Sequence, residues 1–138
     1  GNEAKKIVSV LTKNGLSPEY IVLCHMDKRA DFDLHRELAH QGVMLEYDTC
    51  YRPKYNPDEN VWPLIEKMAE AGLDSQIVIA TDMADSAMWN HYGGSPGLTG
   101  LFNVIIPKLE ALHFSETQIA GLVCGNIARR LALIPVSN

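Results

Sequence analysis

The stretch Tyr20-Ile21-Val22-Leu23-Cys24-His25-Met26-Asp27 carries the decisive information about the fold. Five residues run without a charge and then give way abruptly to an imidazole and a carboxylate. A strand with one wet face alternates apolar and polar residues. An uninterrupted apolar run of this length marks a strand covered on both faces, as in a parallel sheet or a barrel wall. Upstream, Ala4 to Asn14 places Ile7, Val8, Val10 and Leu11 in a one-faced helical pattern. Gly15 follows, where a left-handed helix cap is expected, and Ser17-Pro18 leads into the strand.

The same unit recurs twice. Phe32 to His40 reads as a helix with Leu34 and Leu38 one turn apart, Gly42 closes it, and Val43-Met44-Leu45-Glu46-Tyr47 is the next strand. Asn60 is placed to cap a helix from Val61 to Ala71, with Pro63 tolerated in its first turn; Gly72 ends it, and Gln76 to Thr81 is the third strand. Gly15, Gly42 and Gly72 thus mark one unit per ~30 residues, the rhythm of βαβ architecture. The fold class is α/β, with parallel strands predicted near 20–25, 43–48 and 76–82, neighbours in sequence order. Beyond Thr81 the chain turns helical: Thr99 to Leu112 with a kink at Pro107, a capping box at Ser115 to Gln118, and a short last helix through Leu131 capped by Asn126. No linker or low-complexity stretch interrupts residues 1–138, which read as part of one domain.

Composition narrows the function. The net charge of −5, without a dense Lys/Arg cluster, argues against nucleic acid or an anionic membrane as partner. No apolar run approaches the roughly 20 residues that cross a bilayer, and polar Gly1 to Lys6 does not resemble a signal peptide. Cys24, Cys50 and Cys124 are odd in number, far apart and without a Cys-x-x-Cys pair. That pattern speaks against a disulfide scaffold or a thiolate zinc site, and for a reducing, cytoplasmic setting.

In α/β folds chemistry gathers at the C-terminal ends of strands. Here those ends are His25-Met26-Asp27, Asp48-Thr49 and Asp82-Met83. A neutral imidazole and carboxylates converging on one rim can hold a divalent metal and activate water. The plainer alternative is that each Asp is a turn or cap residue and His25 a hydrogen-bonded structural histidine. His35 and His40 are expected on a solvated helix face and His113 after one; His91 sits in the long loop after the third strand, within reach of a substrate or lid role.

The ordered set of these motifs resembles the phosphotriesterase family of the amidohydrolase superfamily. His25-Met26-Asp27 resembles its Gly-His-x-Asp segment, with Cys24 in place of the Gly. Leu45 to Asp48 and Ile77 to Asp82 resemble the endings of the next and last strands. His91-Tyr92-Gly93-Gly94, Phe102 to Leu109 and Gly125 to Arg129 resemble the C-terminal region. The resemblance implies the C-terminal portion of a (β/α)8 TIM barrel, about three of its strands. It implies a hydrolase cleaving an ester, lactone or phosphoester with two divalent metal ions, zinc first and manganese or cobalt as alternatives. His25 then ligates the more exposed metal, and Asp82 ligates the buried one and takes the proton of the attacking water. Asp27 and Asp48 orient ligands or support the rim, while Tyr51, Arg52 and Trp89 line a substrate pocket or pack their loops. A homodimer is one assembly open to the protein, and the sequence does not fix the oligomeric state. The family's His-x-His pair, bridging carboxylate or carboxylated lysine, and a further His are not among these residues, so the chain alone is expected to be inactive. The competing reading is a non-catalytic α/β binding module on the same fold. A nucleotide-binding domain fits least, since no strand is followed by Gly-x-Gly-x-x-Gly or a P-loop.

Overall fold

The computed structural model describes residues 2–132. Three strands, β1 (Val22–Leu23), β2 (Met44–Tyr47) and β3 (Ile77–Ile79), form one sheet in the order β1-β2-β3. Both pairs are parallel, with Val22 opposite Met44 and Leu45 opposite Ile77. Helix α1 (Asn2–Lys13) precedes β1, α2 (Phe32–His40) links β1 to β2, and α3 (Val61–Glu70) links β2 to β3. Gly15, Gly42 and Gly72 all adopt positive φ, as their capping positions require. The strands are shorter than their apolar runs. Pro18–Tyr20 forms a 3-10 turn, so the first ladder bond runs from the Met44 N–H to the Ile21 carbonyl.

The sheet has two faces of different character. Ile21, Val43, Leu45, Tyr47, Ile77 and Ile79 belong to the main core with Leu34, Leu38, Val61, Leu64, Ile65 and Met68 of α2 and α3. By strand alternation Met44, Glu46 and Val78 point the other way. Met44 and Val78 are buried nonetheless, so covering on both faces is observed where the strands are apolar. In α1, Val8 is buried whereas Ile7 and Val10 are exposed, so only part of its apolar stripe meets the core.

The histidine expected on a solvated face of α2 is instead inside. His35 is fully buried with its Nδ1 2.7 Å from the Tyr47 hydroxyl. It shares the inward stripe with Leu34, Leu38 and Ala39, one helical turn away. His40 and His113 are exposed, as expected.

The helical C-terminal region follows its predicted breaks only in part. Just before Pro107 the helix widens into one π turn, which divides it where a kink or break is expected. The Ile106 N–H reaches back five residues to Leu101, after which α4 (Ile106–Ala111) proceeds. The capping box at Ser115 and Gln118 is formed and opens α5 (Glu116–Ala120). A second wide turn, Gly121–Gly125, then runs without a break into α6 (Asn126–Leu131). Asn126 is therefore no cap. It is buried, and its amide donates to the carbonyls of Asp74 (2.8 Å) and Ile77 (2.7 Å). Asn60 does not cap α3 with its side chain either; its amide donates to the Tyr55 carbonyl. No helix among the described residues is long and apolar enough to cross a membrane.

Arg130 of α6 ties the lower rim of the sheet together. Its guanidinium donates to the Glu19 carbonyl before β1, the Gly42 carbonyl before β2 (2.7 Å) and the Gln76 side-chain oxygen before β3. Arg130→Met should lower unfolding free energy by about 2–3 kcal/mol in denaturant titration, since three acceptors lose a charged donor.

Burial pushes the His35 imidazole down to about 4, against the pull of Asp31 and Asp27. Its folded value lies below its unfolded one, so its contribution is complete above about pH 6.5 and lost as pH falls toward 4. Stability should drop by about 2–3 kcal/mol across that window, and His35→Gln should flatten that part of the pH–stability curve.

Candidate metal centre

The three strand ends meet. The backbone turns sharply at two of them, with φ of +61° at His25 and +38° at Asp82. Such turns are uncommon for residues other than glycine, and Asp and His are among those that tolerate them. One ligand atom each from His25, Asp48 and Asp82 lies within 4.8 Å of the others, the one such trio among the described residues. His25 is exposed, Asp82 half-buried and Asp48 fully buried.

Each member has a distinct partner. Asp48 Oδ2 is hydrogen-bonded to His25 Nδ1, while its Oδ1 is buried without a partner. A carboxylate at Nδ1 holds that nitrogen protonated and leaves Nε2 as the free lone pair. Burial and the neighbouring Asp27 push the Asp48 carboxyl above the usual range, and His25 opposes them. Asp27 is as buried as Asp48 and stands outside the trio. Its Oδ2 accepts from the Thr49 N–H and hydroxyl, both at 2.7 Å, tying the loop after β1 to the loop after β2. Arg52, on the loop after β2, sends Nη2 to Asp82 Oδ2 and to the Asp82 carbonyl, both at 2.7 Å.

The other expected pocket residues divide. The Trp89 indole donates to the Met83 carbonyl at 2.9 Å, pinning the loop just after Asp82. Tyr51 packs its hydroxyl where a Cβ on Gly100 would stand 2.8 Å away. Both contact neighbouring loops, whereas Arg52 reaches the trio. His91 is exposed and stacks edge-on with Tyr92. Cys24 neighbours the site, but its hydrogen bond with Glu46 and burial push the thiol up to about 11. It stays protonated at neutral pH and is a poor nucleophile.

The phosphotriesterase family model matches residues 2–131. The chain belongs to the phosphotriesterase family. A phosphotriesterase homology protein of Escherichia coli (strain K12) is 21% identical over 112 residues, covering 81% of this chain and 38% of that protein. An N-acetyltaurine hydrolase of Dictyostelium discoideum is 27% identical, covering 94% of this chain and 38% of that protein. The crystal structure of a lactonase from Listeria monocytogenes superposes with a TM-score of 0.86 at 25% identity, covering 94% of this chain and 41% of that one. The chain thus spans about two fifths of the length of the curated relatives it matches. As a phosphotriesterase-family segment, the three strands are part of a TIM barrel wall, with the trio at its C-terminal rim.

The Asp27–Thr49 and Arg52–Asp82 links were not read from sequence. Thr49 and Arg52 lie one and four residues past the end-of-strand Asp48, and parallel neighbours set their loops side by side. Thr49→Val should cost about 1–3 kcal/mol of stability in urea titration, because buried Asp27 loses one of its two hydrogen-bond donors.

Proposed function

We propose that the protein containing this chain is a hydrolase of esters, lactones or phosphoesters, with His25 and Asp82 among the ligands of two divalent metal ions. The observation that supports this most is the convergence of His25, Asp48 and Asp82 at the end of the strands. An imidazole with a free Nε2 and carboxylate oxygens are the donor set of zinc, manganese or cobalt sites. The unpartnered Oδ1 of buried Asp48 fits the same polar centre, since a buried carboxylate oxygen without a donor is costly. A metal pair needs more ligands than these residues supply.

When bound, the metal supplies Lewis acidity that polarises the scissile carbonyl or phosphoryl group and makes water acidic. The chain's own residues do the rest. Asp82 accepts the proton of the attacking water, as the carboxylate of the trio not engaged with His25. Asp48 fixes the ring orientation and tautomer of His25. Asp27 holds the loop carrying Thr49, so Asp48 does not drift from His25. Small-molecule substrates are the proposed partners, and hydrolysis or lactone opening the reaction class.

Asp82→Asn in the full natural protein should cut kcat by about 10²-fold or more and lower bound zinc, read by metal analysis of the same sample. Near wild-type turnover would refute the assignment. A chain of these 138 residues alone, given zinc, cobalt or manganese, should not turn over aryl esters, lactones or phosphotriesters. A well-folded, metal-free full protein would instead favour a binding module.

A further inference from the structure

Arg52 is the most engaged charged group near the trio that catalysis does not use. Its side chain is 17% exposed and that of Asp82 21%, so their ion pair lies largely out of water. Both bonds come from Nη2: one to the carboxylate and one to the backbone carbonyl of the same residue. Arg52 Nε is buried and finds no partner, so the guanidinium is not fully satisfied by this arrangement.

We propose that Arg52 and a divalent cation compete for Asp82, so that metal loading and loosening of the Arg52–Asp82 pair are one exchange. This rests on the metal-site reading above. Asp48 and Asp82 bring two negative charges to the trio, and Arg52 cancels one. A dication arriving at Asp82 meets a guanidinium already on Oδ2, and like charges at this separation in a part-buried site repel by an amount that shifts affinity markedly. The carbonyl contact gives the displaced arginine an anchor, so the exchange can proceed through partial release. Nη2 gives up the carboxylate and keeps its bond to the Asp82 backbone, which holds the left-handed turn. Arg52 therefore sets the cation affinity of the site and acts as a positioning residue for Asp82 in its absence.

The test is cobalt and zinc binding by the full natural protein after chelator treatment. It uses calorimetry and the cobalt visible absorbance, with thermal unfolding to confirm the fold. Arg52→Gln and the apolar Arg52→Met, of similar length, should both bind roughly tenfold tighter than the parent at neutral pH. The gain should vanish when Asp82→Asn is added, because the competition is for that carboxylate. Equal or weaker binding in folded Arg52→Gln and Arg52→Met would overturn the exchange while leaving the metal site standing. No binding by parent or variants would overturn the metal site and the exchange together. A gain that persists in the Asp82→Asn background would also overturn it, since the effect would then be general charge and not competition at Asp82.

Discussion

Arg130 holds three chain segments at once, and the geometry of the opposite rim depends on it. The segments entering β1, β2 and β3 each offer one acceptor to the same planar guanidinium. A planar fork fixes both the distance and the angle between its acceptors, which an ammonium cannot do. With the strand entrances set and the ladder in register, the strand exits are set as well. His25, Asp48 and Asp82 then meet without any direct link from His25 to Asp82. Asn126, one turn earlier on α6, adds a second tie by donating to Ile77 at the start of β3. One short helix therefore fixes the end of the sheet opposite the trio. This is the division of labour expected of barrel walls, with stability at the entrances of the strands and function at their exits.

The exits carry a charge problem that the structure solves unevenly. Asp27 and Asp48 are both buried, and burial together with the neighbouring Asp27 pushes the Asp48 carboxyl up. Asp27 is answered by two neutral donors from Thr49, Asp48 by one imidazole, and Asp82 by Arg52. Only the last is a permanent charge. The rim thus gathers more negative than positive charge, and leaves an oxygen on each of Asp27 and Asp48 without a donor. A purely structural rim gains nothing from such an imbalance, since each unanswered buried oxygen costs stability. A rim that takes up a cation does.

Much of the fold was legible because the helix–glycine–strand unit is local chemistry. A positive-φ glycine after an apolar stripe and a proline-led apolar run say the same thing three times, and the three parallel strands follow. What was not legible depended on tertiary context. His35 looked like a surface residue because histidine is polar, although its spacing from Leu34 and Leu38 already put it on the inward stripe. Asn126 and Asn60 have the composition of caps, but Gly125 stays helical and the helix runs through Asn126. Local propensity marks where a helix can end, and packing decides whether it does. At the site, the strand-end residues were visible one by one because each follows an apolar run. Their partners Thr49 and Arg52 were not, since which loop residue turns inward is set by the neighbouring strand.

The face of the sheet turned away from the core helices changes character along the strand direction. Its lower level is Met44, apolar and buried, beside Val22 of β1. Two residues on from Met44 stands Glu46, opposite Val78 in the ladder; two further stands Asp48, which meets His25 and Asp82 at the strand exits. Alternation puts these residues on one face, so the same row of side chains passes from core to polar layer to ionised rim in about 13 Å of chain. Glu46 is the step that makes the change gradual. The nearby Cys24 thiol is pushed up to about 11, chiefly by Glu46 itself, so the middle layer holds one charge and a neutral thiol where a second charge would repel Asp48. A more acidic middle layer would push Asp48 further toward its protonated form and weaken its hold on His25. The charge balance of the rim therefore depends on the layer beneath it as much as on its own residues.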